Sequence, residues 1–187
     1  MESESEKNES KERIKAFLKD GDVFVSSHEN TESLTSRGYG TQEDDSLKLA
    51  FYEALYLVYK GIIEIEDEKT NEKLAFQDLL ERFRSKYEDA WTKYLVYRDL
   101  RSRGYVVREG FGLGIDFRVY ERGEYGKSTA DYLILCVKEG QPIPVENLAR
   151  IIKQSQSMKK MLILSVLSRR GEIVYYSLSQ LSMPRIE

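Results

Sequence analysis

The sequence predicts an α/β (α+β) chain in two parts: a small mixed N-terminal α/β domain, then a C-terminal α/β domain built on a mixed central sheet. Three observations predict it. The stretch YRDLRSRGYVVREGFGLGIDFRVY, Tyr97 to Tyr120, strings a helix end, a glycine stop and two alternating strands onto a terminal tyrosine. The run SMKKMLILSVL puts Lys159 and Lys160 directly before a buried strand. The segment from Leu74 to Arg103 is rich in strong helix formers but interrupted near Lys86 to Asp89, which reads as two helices with a joint between domains. The expected divisions are a disordered tail over 1–8, an N-terminal domain over 9–88 and a C-terminal domain over 89–187.

Taken in order, the tail is polar, lacks aromatics and has nothing to bury against its ordering entropy. Glu9 to Lys19 reads as a short helix broken by Gly21 and Asp22, followed by a strand over Val23 to Ser26. A helix is expected over Glu29 to Arg37, stopping at Gly38. In SLKLAFYEALYLVYKG, Leu47, Phe51, Ala54, Leu55 and Val58 recur at helical spacing, so one amphipathic helix is expected up to Gly61 and a strand over Ile62 to Glu66. The later of the two helices in the Leu74 to Arg103 segment carries Trp91, Tyr94, Leu95 and Arg98 on one side, with Gly104 as its C′ residue. Strands follow at 105–109, 114–120 and 131–138, then a helix at 145–157 behind Pro142 and Pro144, then strands at 161–167 and 172–178. A mixed sheet flanked by helices results.

At 187 residues and 41% hydrophobic, the chain can bury a sizeable core. A lone cysteine, Cys136, cannot form an intrachain disulfide. No apolar run reaches the ~18 residues that span a bilayer, and the charged N-terminus is unlike a signal peptide. A soluble, cytoplasmic protein is expected. Residues 1–88 hold 13 Lys and Arg against 21 Asp and Glu, whereas 89–187 hold 16 against 11, so the halves carry −8 and +5. The second half is the better candidate to meet a polyanion, although a solvated basic surface explains the charge equally well.

The pattern over Tyr97 to Tyr120, DYLI at Asp131 to Ile134, ARIIKQSQSMKKMLILSVL at Ala149 to Leu167, and GEIVYY together resemble the C-terminal nuclease domain of archaeal tRNA-splicing endonucleases. The N-terminal half is similar to theirs from GDVFV to YKGIIEI. The resemblance implies metal-independent attack of a ribose 2′-hydroxyl on the adjacent phosphate, leaving a 2′,3′-cyclic phosphate and a 5′-hydroxyl, with no cofactor. That chemistry needs a base, an acid and a cation, which the family supplies as Tyr, His and Lys. By motif, Tyr120 matches the tyrosine and Lys160 the lysine. A free phenol, with a pKa of about 10, is a poor base unless a cation converges on it. The resemblance also implies a precursor-tRNA substrate with a bulged helix, and a homo- or hetero-oligomer with a sister subunit that pairs through the C-terminal strand.

Three departures qualify the likeness. The register of the family's histidine falls on Thr129, with Ser128 and Lys127 close by, and the chain's single histidine, His28, sits far off in the N-terminal half. Losing general-acid help costs about 10²- to 10⁴-fold. Where the family has an arginine seven residues before its lysine, this chain has Lys153, which keeps the charge but loses the planar stack. The loop before the last strand reads SRRGE, with Arg169 and Arg170 where acidic residues usually dock into a partner, so docking by that loop requires a different partner surface. Lys127, Lys153 and Lys159 are the expected RNA contacts.

Two function readings stay open: a structural or catalytically impaired subunit whose competent site lies on a sister chain, and an active endonuclease with a substitute acid. Outside the pattern, Tyr120 would read as an aromatic packing at a strand end and Lys160 as a solvated residue. A metal-dependent restriction-type nuclease using Asp116, Asp131 and Lys138 is a remote third, since the acidic-x-Lys ending is missing. The glycines Gly110, Gly112 and Gly114 resemble a phosphate loop but lie between two strands, which favours a β-turn. No metal site is expected.

Overall fold

The computed structural model describes residues 13–112 and 114–183; the tail over 1–8 lies outside them. The N-terminal part runs β1 (Ile14–Lys19), β2 (Asp22–Val25), α1 (His28–Ser36), β3 (Thr41–Glu43), β4 (Ser46–Leu49), α2 (Phe51–Tyr59), β5 (Ile63–Asp67), β6 (Lys73–Leu74) and α3 (Phe76–Lys86). The C-terminal part runs α4 (Ala90–Ser102), β7 (Val106–Gly112), β8 (Ile115–Tyr120), β9 (Tyr132–Lys138), α5 (Val145–Ser157), β10 (Met161–Leu167) and β11 (Ile173–Leu178). Each part holds one mixed sheet, ordered β3-β4-β2-β1-β5-β6 and β11-β10-β9-β8-β7. No helix among the described residues is long and apolar enough to cross a membrane.

Two expectations are corrected. Ile14–Lys19 is a strand, hydrogen-bonded in parallel to β5 and antiparallel to β2. Ala16 and Leu18 alternate with exposed Lys15 and Lys19 at the period of two that a half-buried strand requires. The expected helix from Ser46 also starts late. Leu47 and Leu49 alternate inward on β4, and the helix begins at Phe51, where the Ala50 N–H donates to Glu53 Oε2 at 3.0 Å. That bond satisfies a donor at the helix start through a side chain three residues on, one half of a capping box. The C-terminal elements fall where the pattern puts them, and α5 spans the expected 145–157. Around the glycine run, Gly112 pairs with Ile115 across the β7–β8 hairpin and the register shifts between Glu109 and Gly112, a bulge and not a helix N-terminus.

One aromatic-rich core joins the two sheets. Tyr52 of α2 packs against Tyr97 of α4 and Phe117 of β8, each with ring centroids 4.9 Å apart. Tyr97 and Phe117 are fully buried. Burial of such a ring is worth about 1.5–3 kcal/mol, and an edge-on aromatic pair adds about 0.5–1.5 kcal/mol. A second, small cluster of Ile115, Leu133, Ile151 and Leu162 seats α5 on the other face of the C-terminal sheet. At the far edge, the Tyr175 hydroxyl donates to Asp99 at 2.7 Å, and Asp99 also pairs with Arg103, so α4 is tied to β11.

Candidate active site and its supporting clasp

Residues at one end of the C-terminal sheet come from three strands whose register is set by the backbone. Val119 pairs with Tyr132, and Tyr132 with Met161. One step beyond that row stand Tyr120, Asp131 and Lys160. The Asp131 N–H donates to Val119 O at 2.9 Å, and the Met161 N–H donates to Asp131 O at 3.3 Å. Tyr120 at the end of β8 and Lys160 just before β10 therefore stand on the two sides of β9, with backbones about 10 Å apart at two strand spacings.

The Lys160 ammonium donates to Thr129 Oγ1 at 2.5 Å, so the threonine to which the resemblance assigns the histidine's register faces the lysine directly. Lys160 is held there by the end of α5. The Lys159 N–H donates to Gln156 O, and the Lys160 N–H to Ser155 O, both at 2.9 Å, with Lys159 at φ 55°. This is a Schellman stop in which a lysine takes the left-handed position that usually falls to glycine. Lys159 is exposed beside the row, and Lys153 is exposed on α5. Thr129 and Lys127 are exposed in the loop between β8 and β9, which turns at Gly123 and Gly126 with φ 85° and 84°.

Tyr120 is 9% exposed, and its ring meets Tyr125 of the same loop edge-on with centroids 5.2 Å apart. Tyr125 in turn lies under the Arg108 guanidinium, 5.9 Å away. The loop therefore rests on a clasp between the two halves that sequence reasoning did not single out. Arg108 donates to Gly38 O at 3.0 Å and Gly40 O at 2.6 Å and pairs with Glu53 at 3.3 Å. Glu53 also accepts from the N–H groups of Gly40 and Ala50. Burial pushes the Glu53 carboxyl above its ordinary range, against the pull of Arg108 and the two N–H donors. Gly38 sits at φ 76° with Val106 packed on the position a Cβ would take, so this approach needs glycine. The clasp's one signal in the sequence is an acid on an apolar helix face and an arginine in an alternating strand.

The other sequence candidates are occupied differently. Asp116 pairs with Lys93 at 2.8 Å and accepts from the Cys136 N–H at 2.7 Å. Burial works to lower the Lys93 pKa, but Asp116 prevails and holds it above the usual value. Asp131 accepts from the Glu121 N–H, and Lys138 reaches Asp89. His28 lies at the start of α1, 3.9 Å from Glu32. A cleft of about 740 Å³ between the halves, lined in part by Asp22, Lys86, Lys93 and Arg108, does not include Tyr120, Thr129 or Lys160.

The chain is thus two mixed α/β units, with Tyr120, Thr129 and Lys160 at one end of the second sheet. Residues 14–80 match the family described as tRNA intron endonuclease, N-terminal domain, and 90–175 match tRNA intron endonuclease, catalytic C-terminal domain. The chain is 33% identical over 173 residues to the tRNA-splicing endonuclease of Methanococcus vannielii, covering 92% of this chain and 97% of that protein. It is likewise 33% identical to that of Pyrococcus horikoshii over 86% of this chain and 92% of that protein. Against the Methanosarcina acetivorans tRNA-splicing endonuclease it is 35% identical over 87% of this chain, but only 46% of that longer protein. The chain belongs to the tRNA-splicing endonuclease family.

Proposed function

We propose that this chain is a subunit of a tRNA-intron endonuclease that cuts precursor tRNA at bulged helices, leaving 2′,3′-cyclic phosphate and 5′-hydroxyl ends without a metal. It is a catalytically impaired member: the base and the cation are retained, and leaving-group protonation is weakened. The observation that carries this reading is the row itself, with Tyr120 and Lys160 on either side of Asp131 and Lys160 turned onto Thr129. Tyr120, acting as its phenolate, takes the 2′-hydroxyl proton, and Lys160 stabilises charge on the phosphoryl oxygens. Lys127, Lys153 and Lys159 contact the RNA backbone, so recognition follows shape and charge more than sequence. The subunit works as an oligomer with itself or a sister chain.

The test is cleavage of an intron-containing precursor tRNA by the purified chain in EDTA, beside Tyr120→Phe. Cyclic-phosphate ends that fall by about 10²-fold or more in the variant support the reading. A second reading, a structural subunit serving a sister chain's site, is favoured by one observation: an exposed threonine stands where an imidazole would supply the proton. Activity that appears only with a histidine-bearing sister and is indifferent to Tyr120→Phe would select it.

A further inference from the structure

The Lys160–Thr129 hydrogen bond has a chemical direction. Lys160 donates, so Thr129 Oγ1 accepts, and the threonine's own O–H is left to point elsewhere. Within the described residues, neither Thr129 nor Lys160 has another hydrogen-bond or ion-pair partner among side chains. Thr129 is exposed at the sheet end that carries Tyr120, and Lys160 is half-buried, so each reaches solvent for proton exchange. An alcohol alone is too weak an acid to protonate a departing alkoxide. An alcohol with an ammonium behind it is not so limited, because hydrogen bonds in series polarise one another.

Resting on the endonuclease reading above, we infer that Thr129 and Lys160 form a two-member proton relay that serves the leaving 5′-oxygen. As the 2′-oxygen bonds to phosphorus and passes its proton to the phenolate form of Tyr120, the bond from phosphorus to the 5′-oxygen breaks. The 5′-oxygen takes the Thr129 hydroxyl proton, and Thr129 Oγ1 takes one from the Lys160 ammonium. Thr129 ends neutral, Lys160 ends as an amine, and solvent returns its proton while accepting the one held by Tyr120. Lys160 thus serves two ends of the reaction, as a charge stabiliser and as the proton source, and Thr129 is a catalytic residue.

A precursor tRNA whose scissile 5′-oxygen is replaced by sulfur tests this, because a thiolate leaves without protonation. The chain, Thr129→Ala, Thr129→Ser and Tyr120→Phe are each assayed on the oxygen and sulfur substrates, with circular dichroism confirming that all four fold. The relay requires Thr129→Ala to slow the oxygen substrate by about 10²-fold or more, Thr129→Ser to keep most activity, and the alanine defect to vanish on sulfur. Tyr120→Phe should remain slow on both. If Thr129 merely holds the lysine in place, the alanine defect persists on sulfur, and the relay is wrong. A chain that cuts sulfur but not oxygen has base and cation without an acid, which overturns the relay and leaves the endonuclease reading standing. Cleavage of neither overturns that reading and the relay with it.

Discussion

The Glu53–Arg108 clasp and the Tyr120–Thr129–Lys160 row are two polar clusters in one molecule, joined through Tyr125, and they are built on opposite terms. The clasp is buried, with side-chain exposures of 4% and 15%; Arg108 finds its partners across in the N-terminal half, while Glu53 also accepts two backbone N–H groups of its own half. In the row, Tyr120 is packed at 9% exposed but Thr129 is exposed and Lys160 half-buried, and the one side-chain bond joins these last two, which can each exchange protons with water. In a buried pair, loss of one member strands a charge in low dielectric, so the pair is strongly coupled to folding. An open pair contributes little to stability and is free to be used in chemistry. The difference separates what holds the two halves in register from what can act on a substrate.

The largest effect expected from breaking that contrast is at the clasp. Arg108→Ala leaves Glu53 buried and unpaired and should cost about 3–5 kcal/mol in urea unfolding. Gly38→Ala, a single methyl at φ 76° against Val106, should cost about 1–3 kcal/mol by the same measurement. At the row, Thr129→Ala should alter stability by no more than about 0.5 kcal/mol, whatever it does to cleavage. A loss there comparable to Arg108→Ala would erase the distinction. In the aromatic core, away from both polar clusters' own bonds, Tyr97 is buried on α4 with a hydroxyl that has no hydrogen-bond partner. Removing it in Tyr97→Phe should be neutral, or stabilise by up to about 1 kcal/mol.

The smallest effect belongs to a peripheral ion pair that sharpens the contrast through pH. The hydrogen bond from Arg82 is the main cause holding the Asp67 carboxyl below its ordinary 3.8. A depressed carboxyl contributes stability that is present above the unfolded-state value and lost as pH falls through the folded one. Asp67→Asn should therefore flatten the acid side of the stability profile below about pH 4 and leave the neutral-pH slope alone. Glu53, pushed the other way by burial, should show the opposite sign: its burden on the fold lessens as pH falls and the carboxyl takes up a proton.

Much of the C-terminal half is legible in the sequence because its signals are local and agree with one another. The alternation in IDFRVY, the glycine after Arg103 and the prolines before Val145 each mark an element at the position it occupies. The N-terminal half misleads at Ile14–Lys19 and at Ser46–Leu49, where short apolar alternations flanked by charge fit a helix almost as well as a strand. Pairing with β2, β3 and β5 decides them. For the site, Tyr120 and Lys160 are visible as strand-end residues, but that β9 lies between them is not, since sheet order is no property of either segment.

By itself, then, the sequence determines the two-part α/β organisation, the family likeness, the placing of its single histidine at position 28 and the surplus of positive charge after residue 88. Only the tertiary structure decides that Lys160 turns onto Thr129, that Tyr120 and Lys160 flank a third strand, and that Arg108 locks into Glu53 from 55 residues away. The physical reason is range. Propensity, capping and turn chemistry act over a few residues and leave their mark in the order of the letters. Register across a sheet and the pairing of a buried charge depend on which distant segments the hydrophobic core brings together.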